Sequence, residues 1–314
     1  MFRYLTGRIL SLLPVMFIVA TVVFFLIHLI PGDPASVLLG PNASPTDVKK
    51  LQIQLGLDKP LYQQFAIWFS NVARGDLGRS IFLDRPVTQA VFERAEPTLV
   101  LVTLSLIVAI VIGLPAGIVS AIKPNLWLDK TLMFFAILGV SIPTFWLGLN
   151  FVEVFAVLLK WLPASGYAPL VSGIWKNFRY MILPALSLGF NQSALIARMC
   201  RSSMLEVMQQ DYVRTARSKG LAEGWVVVRH ALRNVMIPTV TVIGVSFAVL
   251  IGGAVVTEIV FNIPGVGLLI MSSVLRRDYP TIQGCVLIIA AAYVLINLAI
   301  DVLYTYIDPR VRYD

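Results

Sequence analysis

Six stretches of this chain, residues 9–30, 98–121, 131–159, 181–200, 235–257 and 284–306, are apolar almost without interruption. Each is long enough to cross the roughly 30 Å hydrocarbon layer of a bilayer, which takes about 20 residues of helix. Lipid offers no hydrogen bonds, so such a segment has to satisfy its own backbone groups, and helix is the form that does so. Composition agrees: 58% of the 314 residues are hydrophobic and 13% charged, against about 25% charged in a soluble domain. The expected fold is all-α, a polytopic membrane protein with six transmembrane helices.

Two of the stretches need comment. The first, after MFRYLTGR, copies the layout of a signal peptide, but the apolar run outlasts the roughly 7 to 15 residues of such a peptide's core. It is read as a retained span. The third outruns the bilayer at about 1.5 Å per residue and contains Pro143, so a kink or tilt is expected near SIPTFW.

The net charge of +8 raises the question of nucleic acid, and the positions of the charges answer it. Arg3, Arg8, Lys123, Lys130, Arg198, Arg201, Arg214, Arg217, Lys219, Arg229, Arg233, Arg310 and Arg312 share one side of the membrane. The short loops opposite hold Lys176, Arg179, Arg276 and Arg277. The excess of Lys and Arg marks the cytoplasmic side, so both termini are expected there. The basic residues flank membrane spans, and no nucleic-acid partner is expected.

The long loop at 31–97 is expected on the outer side. Ser44-Pro45 with Asp47 opens a helix whose apolar face is Val48, Leu51 and Leu55, and Gly56 closes it. A second helix follows Lys59-Pro60 and spaces Leu61, Phe65, Trp68, Phe69 and Val72 along one face. This loop is either a small lid on the membrane surface or a docking platform for an external partner.

No phosphate-binding loop ending in Gly-Lys-Ser or Gly-Lys-Thr is present, nor a zinc-protease or hydrolase motif that sets a nucleophile beside a base. The two cysteines, Cys200 and Cys285, make no disulfide framework, and His28 and His230 stand apart from each other and from any cysteine. No cofactor and no metal site is expected in this chain, and the chain by itself is not expected to be an enzyme. An ion-driven carrier places acids deep within its spans; here the candidates are Glu153 and Asp301.

The segment 201–234 is the largest cytoplasmic feature. It reads as two helical stretches, SSMLEVMQQDYVRTARSKG and AEGWVVVRHALRN, hinged at Gly220 as a left-handed cap. Ala216, Gly220 and Leu221 are expected to form a small apolar surface fitting another protein's groove. The plainer alternative is a basic loop that only enforces topology, but topology needs a few basic residues, and this segment has helix punctuation over some thirty.

With these residues quoted, the chain resembles the membrane permease subunits of ATP-binding-cassette importers, in the branch serving dipeptides, oligopeptides and related solutes. DYVRTARSKG, followed by RHALRN and Pro238, is similar to that superfamily's ATPase-contacting loop, written E-A-A-x-x-x-G. The matching positions are Arg214, Thr215, Ala216 and Gly220, with Arg214 in place of the glutamate and Thr215 in place of the first alanine. Further matches are HLIPGDP at 28–34, GDLGRS at 75–80, SIPTFWLG at 141–148, LPASGY at 162–167, FNIPGVG at 261–267, RDYP at 277–280 and DPR at 308–310. Singly each is turn chemistry; in order over six spans they are specific.

The resemblance implies a type I importer permease with the MetI-like fold, residing in a bacterial inner membrane. It implies a homologous second permease, two ATPase subunits that bind the ATP and Mg, and an extracytoplasmic peptide-binding protein. Coupling would run through Arg214, Thr215, Ala216, Gly220 and Leu221. Asn150, Glu153, Asn191 and Gln192 are candidates for the solute path, the alternative being hydrogen bonds between helices. The competing expectation is a self-sufficient channel or ion-driven secondary carrier. The expected division is a tail and first span at 1–30, an outer loop at 31–97, a five-helix core at 98–307 and a cytoplasmic tail at 308–314.

Overall fold

The computed structural model describes residues 2–29, 36, 39, 44–54 and 56–307. In chain order the helices are α1 (Phe2–Leu29), α2 (Pro45–Gln54), α3 (Leu61–Ala73), α4 (Val87–Ile122), α5 (Trp127–Ser141) and α6 (Thr144–Phe151). The last runs on into a π-helical segment, Val152–Leu158. There follow α7 (Ile174–Val207), α8 (Asp211–Ser218) and α9 (Glu223–Trp225), which continues through a π segment at Val226–Ala231 into α10 (Leu232–Val260). Then come α11 (Val266–Leu275) and α12 (Tyr279–Ile307). Among the described residues the sole β pairing is an isolated bridge between Arg79 and Pro86.

Four helical runs, Val87–Ile122, Ile174–Val207, Glu223–Val260 and Tyr279–Ile300, are long and apolar enough to cross a membrane. The pair Trp127–Ser141 and Thr144–Leu158 makes a fifth if counted as one span. In α1 the apolar part is Leu10–Phe25. At SIPTFW the expected kink is a sharp bend: Trp127–Ser141 and Thr144–Leu158 are bent by 104°. Pro143 causes it, because Ile142 is pushed to an extended backbone (φ −84, ψ 125) and the ring itself opens α6.

The molecule divides into two compact units. One comprises residues 1–95 with 268–294, the other 96–267 with 295–314. In the first, the loop helices begin and end where their caps dictate: Ser44 accepts from the backbone of Asp47 and Val48, and Gly56 takes a positive φ of 70 just after α2. Leu55 lies outside the described residues. The apolar face of α3 is covered by α1. Phe69 meets Phe17 at 5.3 Å between ring centroids, and Phe65 and Trp68 meet Phe24 at 5.3 and 5.5 Å. Such ring pairs add about 0.5–1.5 kcal/mol each beyond their buried area. The aromatic stripe of α3 therefore binds the first span.

In the second unit α7 is the central post, packed on α5, α6 and α10. Glycines permit close approach: a side chain at Gly113 or Gly117 of α4 would collide with the backbone of α7 at Ser193 and Ala197. Small residues let helices meet without a hydrophobic driving force between them.

Candidate functional site

The segment between α7 and α10 is folded differently from the two-helix reading. Ser202 to Val207 belong to α7, the long span continuing past its apolar part. The chain breaks at Met208–Gln210, forms α8, turns at Gly220 (φ 79) and enters α9. Gly220 N–H bonds to Arg217 C=O at 2.9 Å, the left-handed closure that glycine takes without steric cost.

α8 has an inner and an outer face. Val213 and Ala216 are buried together with Val226, against Val207 and Met208. Ala216 is 6% exposed, so it does not lie on the expected docking surface: helical spacing from Val213 puts it on the inward stripe. Arg214, Thr215, Gly220 and Leu221 are exposed. Arg217 clamps the turn with two bonds to Glu223, 2.7 and 3.0 Å, and Asn234 Nδ2 donates to the Tyr212 hydroxyl at 2.6 Å. Behind the hairpin, Ala121, Cys200, Met204, Val227, Ala231 and Val235 form one core shared by α4, α7 and α10.

Sequence reasoning missed the strongest polar contact near this hairpin. Arg201 of α7 forks onto Asp129 of α5, with both N···O distances 2.7 Å. Ser120 also donates to Asp129, and the Asn125 N–H adds a bond at 2.8 Å. Asp129 is 3% exposed. A bidentate pair fixes both position and orientation, so α4, α5 and α7 are pinned at one end. The signal was available: an acid and an arginine each ending an apolar run on the same predicted side.

The solute-path candidates differ in their surroundings. Asn150 bonds to the carbonyl of Trp146 in its own helix, Glu153 is exposed on the π segment, and Gln192 is buried in α7. Asn191 reaches across to Gly139 C=O at 3.0 Å, a bond between helices. The side chain of Asp301 lies outside the described residues.

Within each unit, quoted motifs meet one another. Gly148 of SIPTFWLG lies against the ring of buried Phe261, the first residue of FNIPGVG, and the Phe261 carbonyl accepts from Gly166 of LPASGY at 2.8 Å. Tyr167 and the Leu170 N–H both donate to Glu96, at 2.7 and 2.9 Å; burial, and after it this carboxylate, raises the Tyr167 phenol above its ordinary pKa. Glu258 is fully buried and takes the Thr98 hydroxyl at 2.6 Å, while Thr98 accepts from the Val266 N–H at 2.9 Å. Gly265 and Gly267 pass so close to Glu258 that a side chain on either would strike its carboxylate. In the other unit Ser80 of GDLGRS donates to Asp278 of RDYP at 2.5 Å. HLIPGDP for the most part, and DPR entirely, lie outside the described residues.

Among known proteins, residues 113–313 match the family described as "Binding-protein-dependent transport system inner membrane component". Residues 1–111 match its N-terminal companion. The chain is 45% identical over 313 residues to the glutathione transport system permease protein GsiC of Escherichia coli O6:H1, and 44% identical to that of strain K12, with all of both chains covered in each case. Two inward-facing crystal forms of the MetNI methionine ABC transporter share the fold, at 19–20% identity. The TM-scores are 0.58, covering 70% of this chain and 97% of the other, and 0.56, covering 68% and 93%. The MetI-like helical architecture expected from the motifs is thus present, and the chain belongs to the binding-protein-dependent inner membrane components, the permease subunits of ABC importers.

Proposed function

We propose that this permease forms half of a pore that imports dipeptides, oligopeptides or a closely related small peptide across the cytoplasmic membrane. The 44–45% identical glutathione permeases support the narrower reading of a short anionic peptide, since glutathione is itself a γ-linked tripeptide. A second, homologous permease completes the pore, an extracytoplasmic binding protein delivers the solute, and both termini of this chain lie in the cytoplasm. Two ATPase subunits bind ATP and Mg and do the hydrolysis; this chain holds no cofactor. Asn150, Glu153 and Gln192 offer weak polar contacts along the path, and Asn191 serves mainly to join α7 to α5.

The observation that carries this reading is the two-sided build of α8. Val213 and Ala216 lock one face onto the chain's own core, while Arg214, Thr215, Gly220 and Leu221 leave the other face for a partner. A push on that rim is passed to α7 and α10 as rigid-body motion, because the core behind it is shared. Ala216 enters the coupling site as its anchor and the four exposed residues as its contact.

The assembled complex tests this. Gly220→Phe and Leu221→Asp are expected to leave membrane insertion intact and cut solute-stimulated ATP hydrolysis at least about tenfold, the effect of losing one interface hot spot. Unchanged stimulation in Leu221→Asp, which needs no special backbone angle, overturns the docking role.

A further inference from the structure

The outer loops of a membrane protein are normally poor in Lys and Arg, because basic residues favour the cytoplasmic side. Cations that stand there against the bias call for a reason. Lys176 and Arg179 are two of them, and the structure adds a third: Lys160, the residue after Leu159 at the end of the π segment, held at φ 56 in the left-handed region that costs an ordinary residue about 1 kcal/mol. All three line one cavity of about 330 Å³, together with Trp161 and Tyr180. Among the described residues no carboxylate lines it. Arg179 is steadied by a bond to the Trp161 carbonyl at 3.2 Å.

Three positive charges around one small cavity repel one another unless an anion sits among them. The surroundings indicate which anion. Trp161 is 62% exposed, and the α7 start beside the cavity presents Ile174 at 78% and Trp175 at 73%, the latter ring stacked on Phe178 at 5.7 Å. Exposed Trp and a half-buried Tyr next to Lys and Arg at span ends is the make-up of a membrane–water interface. From the cavity lined by Lys160, Lys176 and Arg179 and its aromatic rim we infer that this outer corner of the permease binds the phosphate of an anionic phospholipid headgroup, the acyl chains lying along the exposed Trp and Ile side chains. The site is separate from the coupling hairpin. It rests on the proposed orientation, which puts these three cations on the outer side.

The test uses the purified complex in detergent, with phosphatidylglycerol and phosphatidylcholine as probes and bound lipid counted by native mass spectrometry. The wild-type complex is expected to retain phosphatidylglycerol selectively. Each of Lys160→Gln, Lys176→Gln and Arg179→Gln is expected to weaken retention roughly fivefold and the triple variant about a hundredfold, as expected for interfacial charges. Lys160→Arg retains binding. Competition by inorganic phosphate at millimolar concentration, with no preference between the two lipids, assigns the pocket to a free anion and overturns the lipid source. Equal phosphatidylglycerol retention in the triple variant overturns the site. Melting temperature without added lipid, unchanged in the variants, shows that the loss is one of binding and not of folding.

Discussion

The hairpin at 208–226 and the turn at 261–266 are both short connections beside α10, and they are built in opposite ways. The turn is closed around a buried carboxylate: Glu258, Thr98 and the Val266 N–H make a chain of hydrogen bonds, and Gly265 and Gly267 leave no room beside it. The hairpin buries three small apolar side chains on one face, and its turn at Gly220 has nothing within 4 Å of where a side chain would begin. A buried polar seam tolerates little change because unpaired groups there are costly. An open turn with a half-anchored helix keeps its outer surface available. The first connection is made to hold its shape, and the second leaves a surface open.

That contrast is sharpest under Gly265→Val, where new methyl groups and the Glu258 carboxylate compete for one space. Loss of folded protein after detergent extraction is expected, at about 3 kcal/mol or more, since overpacking is compounded by stripping hydrogen bonds from a buried carboxyl group. Retained yield and melting temperature would make the seam no stiffer than the hairpin. Ala216→Leu is the intermediate case. It overfills the Val213–Val226 contact and is expected to cost about 1–3 kcal/mol, read as a lower melting temperature together with weaker ATPase capture. Stability lost without any effect on capture would cut the link between the inner and outer faces of α8.

At the small end lies the Arg217–Glu223 clamp. Its side chains are 39% and 49% exposed, so solvent screening holds it to about 0.2–1 kcal/mol. Arg217→Gln is therefore expected to lower the melting temperature slightly, and the difference from wild type is expected to vanish in high salt. A large, salt-independent loss would place the hairpin among the rigid elements.

How much of this could be read in advance follows from range. Helices α2 and α3 were legible to within a residue or so of their ends, because Ser44-Pro45, Gly56 and Lys59-Pro60 act locally. What α3 packs against was not, since its stripe of Phe65, Trp68 and Phe69 fits a lipid surface as well as it fits α1. Pro143 announced an irregular third span, but its 104° angle depends on what α5 and α6 meet. The residues proposed for coupling were picked by motif, and one of them, Ala216, faces inward because its partners Val207 and Val226 come from flanking segments whose approach no local pattern specifies. The pairings of Asp129 with Arg201 and of Glu258 with Thr98 join residues 72 and 160 positions apart. No local rule reaches that far.

The elbow at Pro143 carries a consequence for what surrounds it. Where a helix stops inside a bilayer, the amide groups of its last and first turns lose their ladder partners, and hydrocarbon cannot replace them. Pro143 is exposed on the surface of this chain. At hydrocarbon depth, the side of the molecule that shows the elbow would need water or protein beside it.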